Sequence, residues 1–223
     1  MAPSRSRRAS WLAAAVFAAA AFLASAAHAD ESARRFSVQL AIIAGDARLL
    51  TQPNLPENRR QGLRTRIASE LSTLRLAARE YLVFLGHSDP ALLRDVDSLR
   101  AAFATARSDA AARRMLRMAA LLARRYPLDL AGLHPNHATP QARADGRAIY
   151  RTLCMGCHAH PDSGADNPAP DLFREARTLP EREFIARLLG GVRGTPVIAL
   201  ENPLSDQQIA GLAAYLRTSG DER

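Results

Sequence analysis

The chain has 223 residues, 48% of them apolar and 23% charged, with 30 arginines, no lysine and 22 acidic residues, for a net charge of +8. The length allows two small domains, and the basic excess comes with no nucleic-acid-binding motif, which sets nucleic acid aside as a partner. An arginine-only set of cations reflects a high-GC genome more than a mechanism.

At the amino terminus, Arg5, Arg7 and Arg8 form a basic region, and Trp11 to Ala27 is an uncharged, mostly apolar run. Ala27-His28-Ala29 fits the small-x-small pattern of a signal-peptide cleavage site. Residues 1–29 are therefore expected to be a signal peptide, and the mature chain to begin at Asp30 in the periplasm. The run is short for a comfortable membrane span. The alternative is an uncleaved anchor, the one route by which membrane association is expected.

Residues 30–128 are expected to form a helical bundle. Apolar residues recur at spacings of three and four, as on helices with one face in a core. Phe36, Leu40, Ile43 and Leu50 form one stripe. Leu63, Ile67, Leu71, Leu74, Ala78, Tyr81 and Leu85 form a longer second one. Leu92, Val96, Leu99 and Phe103 form a third, and Ala111, Met115, Met118 and Leu122 a fourth. Breakers separate them: Pro53 and Pro56, then Gly86 to Pro90, then Ser108-Asp109, with Pro127 closing the last. Pro90 suits a first helical turn, with Ser88 or Asp89 near its cap. Four amphipathic helices with short links imply an antiparallel bundle. Residues 30–130 carry 17 Arg against 11 acidic residues, a net of +6, whereas residues 131–223 carry 10 against 11. Such an excess steers an acidic partner or simply solvates a helical exterior.

Residues 129–141 read as a linker, rich in turn formers (Pro135, Asn136, Pro140) and carrying His134 and His137.

Cys154-Met-Gly-Cys157-His158 is the most informative stretch. It is a C-x-x-C-H motif, the covalent attachment site of a c-type haem. Two thiols three positions apart each bond one vinyl group of the porphyrin, and the adjacent histidine supplies the proximal iron ligand. These are the chain's two cysteines, so none is left for a structural disulfide. A zinc site would want four ligands, usually as two pairs. A thioredoxin-like motif would sit in a βαβ pattern. Neither context is present in the sequence.

Residues 142–223 are expected to form a second domain, and over about 142–219 the chain resembles a class I cytochrome c domain. Gly146-Arg-Ala-Ile-Tyr150 precedes Cys154 by the spacing of that family's first helix. Pro170-Asp-Leu172 is similar to its Pro-x-Leu turn. The resemblance implies that the Pro170 carbonyl orients His158, since the ring nitrogen facing away from the metal needs an acceptor. Leu179 to Leu189 reads as a middle helix ended by Gly190-Gly191. Ser205 with Gln208 three residues on is a capping box opening the last helix, through Ile209, Leu212, Tyr215 and Leu216. In the family, a glycine of the first helix packs against an aromatic of the last, and Gly146 and Tyr215 are the matching positions. The expected fold is all-α: an antiparallel helical bundle followed by a cytochrome c-like domain. The expected cofactor is one covalent haem c, held through Cys154, Cys157 and His158 with Pro170 and Tyr215 around it.

One departure matters. The family's sixth iron ligand is a methionine in a Gly-Thr-Pro-Met-like segment, but here the segment is Gly194-Thr-Pro-Val197. Met155 lies inside the haem motif, and no methionine follows it. Three explanations stay open: an open distal site; a ligand from His134, His137, Met115 or Met118, with His160 poorly placed beside the proximal ligand; or closure by a partner. Loss of methionine is expected to lower the haem potential.

The leading expectation is a periplasmic monohaem cytochrome that transfers electrons, docks on redox partner proteins through its helical bundle, and has no catalytic residues. The alternative is a five-coordinate haem protein that binds nitric oxide, carbon monoxide or peroxide at an open site, where Arg193 would be the group near Val197 to polarise peroxide.

Overall fold

The computed structural model describes residues 34–86, 88–106, 108–160, 169–195, 198–200 and 204–219. The expected signal peptide, His87 and the Pro196-Val197 pair lie outside the described residues.

Four helices make the first half: α1 over residues 34–50, α2 Glu57–Phe84, α3 Pro90–Thr105 and α4 Asp109–Arg125. The sequence places a cap of α3 at Ser88 or Asp89, and it is Asp89; Ser108, read with Asp109 as a breaker, also caps α4. Asp89 accepts hydrogen bonds from the Ala91 and Leu92 amides, with Pro90 in the first turn of α3. Ser108 accepts from the Ala111 amide at the start of α4. Each satisfies amides that the first turn leaves without an intrahelical partner. α1 runs antiparallel to α2, since Gln39 donates to Thr73 and Asp46 meets Arg66.

α1 is amphipathic in two directions. Phe36, Leu40, Ile43, Ala47 and Leu50 enter a first core with α2, α3 and α4. Val38, Ala41 and Ile42 enter a second core with the carboxy-terminal half. A helix buried on two sides needs apolar residues around most of its circumference. The stretch Val38-Gln-Leu-Ala-Ile-Ile43 supplies them.

The second half begins before α5. Leu128, Leu130 and Leu133 are buried in the second core, so the proline-rich connection is anchored rather than loose. A 3₁₀ turn at Pro135–His137 leads to α5 Pro140–Ile149, then a π-helical turn Tyr150–Cys154 and a short α6 Met155–His158. The remaining helices are α7 Leu172–Thr178, α8 Glu181–Gly190 and α9 Asp206–Thr218. Ser205 and Gln208 form the full capping box of α9.

α5 and α9 cross at their glycines. A Cβ on Gly146 would lie 2.3 Å from the Gly211 carbonyl oxygen, and one on Gly211 would lie 2.1 Å from that of Ala142. The backbone approach at Gly146 is therefore to Gly211. Tyr215, the aromatic expected against Gly146, packs one turn further on, with Tyr150 and Phe173.

Among the described residues the fold is all-α except for a two-stranded antiparallel ladder, β1 Val192–Thr195 with β2 Ile198–Leu200. It occupies the segment where the sequence departs from the family, and no strand pattern in the sequence announces it. Among the described residues no helix is long and apolar enough to cross a membrane.

Candidate haem site

α5, the π turn and α6 form one continuous helical stretch from Pro140 to His158. Its end carries both cysteines and the histidine. A π turn adds a residue to one helical turn and re-aims the side chains beyond it, a device often found at functional positions. Cys154 is half-buried against the second core, Cys157 is exposed, and the two thiols are not joined. Burial pushes the Cys154 thiol up, and the neighbouring Cys157 adds to the rise. Reactive or metal-binding C-x-x-C pairs show the opposite, a lowered value that favours thiolate. Leu153 and Met155 flank the first thiol and are 63% and 41% exposed. Large apolar side chains left open beside two free thiols suit an apolar group held there.

His158 Nδ1 lies 2.6 Å from the Pro170 carbonyl oxygen. A carbonyl can only accept, so Nδ1 carries the proton and Nε2 keeps its lone pair in the neutral ring. This is the tautomer that a metal-binding Nε2 requires. The turn that presents Pro170 is held by its successor. Asp171 caps α7, accepting from the Phe173 and Arg174 amides at 3.0 and 3.2 Å. Behind it Tyr150, Phe173 and Tyr215 form a triangle of rings, with centroids 4.9 to 5.9 Å apart. Sequence reasoning missed Asp171 and Phe173 as contributors to the site. The signal for Asp171 is an N-capping residue after proline and before an apolar pair. The triangle is a tertiary contact with no local signature.

The structure brings Cys154, Cys157, His158 and Pro170 together and puts Tyr215 in the ring cluster behind them. It does not gather the distal candidates there. Met115 is fully buried in the first core, and Met118 packs against the same core. No residue of that core comes from beyond Tyr126. Both therefore act as apolar filler, the usual role of methionine on such a stripe. His134 Nδ1 meets Glu181 Oε1 at 2.7 Å, and Arg217 donates to the other oxygen at 2.6 Å. Burial alone would raise the Glu181 carboxyl, but these two partners outweigh it and hold it below its ordinary value. His137 is exposed, its ring edge-on to His134 at 5.4 Å. His160 is exposed, two residues past His158. The side chain of Arg193 lies outside the described residues, as does Val197. Among the described residues no group of three or more His, Cys, Asp or Glu side chains forms a site for a bare metal ion.

Two thiols and an imidazole on one helical end, its Nδ1 against a proline carbonyl, are the arrangement expected for covalent haem attachment in a class I cytochrome c domain. Residues 141–216 match the family model described as cytochrome C oxidase, cbb3-type, subunit III. The match supports a class I monohaem cytochrome c domain over those residues and leaves the four-helix region outside it. No curated protein and no solved structure matches the chain. The domain implies haem c and electron transfer, and it fits an electron carrier rather than a catalytic enzyme.

Proposed function

We propose that the chain is a periplasmic monohaem c-type cytochrome that passes electrons between redox partner proteins, with its helical region guiding docking. The observation that carries this reading is the His158–Pro170 hydrogen bond beside two unjoined thiols. A bound haem supplies a one-electron couple. Cys154 and Cys157 would hold it as thioethers and His158 Nε2 would offer its lone pair to the iron, while the Pro170 carbonyl keeps the ring proton on Nδ1. No side chain has to move a proton during transfer. Exposed Leu153 and Met155 offer an apolar margin at which a partner can approach. Exposed Arg113, Arg114 and Arg117 on α4 offer a basic face to an acidic one.

Acid–acetone extraction tests the attachment. Haem should stay with the wild-type polypeptide and leave the Cys154→Ala/Cys157→Ala variant; haem retained by that variant would remove these cysteines from attachment. Docking is tested by reversing charge at Arg113 and Arg117. Partner reduction should slow at low salt and converge with wild type at high salt. An unchanged rate and salt dependence would remove this face from docking.

A further inference from the structure

One end of the four-helix region is apolar where water should meet it. Val83, Phe84 and Leu85 are 80%, 46% and 42% exposed. They are consecutive, so they do not form a lateral stripe, which would repeat every three or four residues. They make up a protruding helix end, the last two residues of α2 and the one after it. Leu121, 60% exposed, lies in the last turns of α4. The rings of Phe36, Tyr81 and Tyr126 meet at 5.2 to 5.7 Å, which brings the start of α1 and the end of α4 to this same end of the bundle.

Cations surround the patch. Arg79 shares a shallow depression with Leu82, Val83 and Gly86. Arg35, in the first turn of α1, and Arg124, in the last turn of α4, are exposed. None of these three pairs with a carboxylate among the described residues. Asp89 accepts from two α3 amides and from Tyr126, and pairs with Arg125; Glu80 is half-buried. The chain also enters the fold here. Seven residue steps separate Ala27, the end of the apolar amino-terminal run, from Arg34. They span at most about 25 Å when extended.

We propose that this end of the bundle is a docking surface for an anionic lipid bilayer, with Val83, Phe84 and Leu85 entering the interface while Arg35, Arg79 and Arg124 meet the headgroups. Apolar side chains at the acyl boundary with arginines at headgroup level are what interfacial binding requires. The surface is distinct from the haem site and is carried by helices outside the matched domain. A bilayer suits it better than a protein partner. The apolar residues are consecutive at a helix end rather than a stripe along it, with an open, shallow depression and cationic neighbours beside them, and the apolar amino-terminal run precedes the fold at this end.

The chain's single tryptophan, Trp11, makes a direct test possible. In the haem-loaded full chain, Trp11→Phe with Phe84→Trp leaves one reporter, at the tip, whether or not the amino-terminal run is retained. Its emission should shift to the blue on phosphatidylglycerol-containing vesicles and be quenched by brominated acyl chains. Raised salt should weaken both effects. A control reporter at exposed Arg143 on α5 (Trp11→Phe with Arg143→Trp) should show neither. Adding Val83→Asp to the tip-reporter chain should weaken the vesicle response about tenfold or more, with helix content and haem spectrum unchanged. Absence of quenching at position 84, or equal quenching at 84 and 143, would overturn the proposal. Quenching at 84 that is indifferent to lipid charge and to Val83→Asp would also overturn it, assigning membrane contact to the amino-terminal run alone.

Discussion

Gly146 and Gly190 look alike in sequence and differ in what surrounds them. A methyl group on Gly146 would press on the Gly211 carbonyl oxygen at 2.3 Å and the Leu212 amide nitrogen at 2.6 Å, both backbone of α9. One on Gly190 would meet the Cδ1 of Ile42 at 2.6 Å, the far end of a side chain that can turn away. Gly146→Ala should therefore destabilise the chain by about 3 kcal/mol or more, the upper range for overpacking, and Gly190→Ala by about 1 kcal/mol or less. Urea unfolding of the two variants checks the ordering; equal losses would mean that α9 yields as easily as a side chain. Glu181 gives a pH signature at the same scale. His134 and Arg217 hold its folded-state value below the ordinary 4.5 despite partial burial. A lowered carboxylate stabilises the fold above its unfolded value and loses that contribution as pH falls through the folded value. Wild type should be more stable than Glu181→Gln near neutrality, and the gap should close on acidification below about 4.5. A gap that persists at low pH would mean that the contribution of Glu181 does not depend on its charge.

Adjacent residues of α1 serve different cores, and a paired substitution exposes this. Ile43 is fully buried in the first core, and Ile42, 3% exposed, in the second. Truncating either to alanine should cost about 2–4 kcal/mol. Ile42→Ala should disturb the haem spectrum as well, and Ile43→Ala should leave it intact at temperatures where the fold persists. Identical spectral effects would deny the division. The reach of the sequence is visible at this scale. The stripe Phe36, Leu40, Ile43, Leu50 is legible because the first core follows helical periodicity. The second face of α1 is not, because Val38, Ala41 and Ile42 read as part of a generally apolar helix until a partner is known. The caps at Asp89 and Ser205 are legible for a local reason: a side chain and an amide two or three residues away. The Cys154, Cys157 and His158 motif is legible from its spacing, and the His158–Pro170 contact follows from what the resemblance implies. Gly211 and the ring triangle depend on contacts between distant segments, which spacing does not carry, and the ladder at Val192–Leu200 is local but too short and irregular to show a strand alternation. Met115 illustrates the limit from the other side. It is a chemically competent ligand in the sequence, and its place in the first core leaves it as packing.

Across the whole molecule, the two halves are held by a buried ion network as well as by α1. Asp46 is fully buried, meets Arg66 of α2 with both oxygens and Arg187 of α8 at 2.8 Å. Glu183 joins Arg187 at 2.8 Å and Arg48 at 3.0 Å, lying where a side chain on Gly45 would otherwise be. Burial alone would lower the Arg187 guanidinium, but Asp46 and Glu183 more than offset this and hold it firmly charged. Removing one member of such a network leaves the others buried without compensation, at about 3–5 kcal/mol. The haem domain is therefore not expected to stand alone at full stability, although the family match covers it nearly end to end. A chain starting at Asp129 would lose Val38, Ala41 and Ile42 from its core and Asp46 from Arg187. At about 1.5–3 kcal/mol for each large apolar side chain buried, together with the ionic loss, the deficit rivals the 5–15 kcal/mol of a typical domain. The haem-loaded fragment 129–223 should melt well below the full chain when followed by the haem absorbance. Arg187→Met should lower the melting temperature of the full chain, where it leaves Asp46 and Glu183 short of a cation, and should cost the fragment less, since Asp46 is absent there and only the pair with Glu183 is broken. A fragment as stable as the full chain would mean that α1 and Asp46 rest on the haem domain without supporting it.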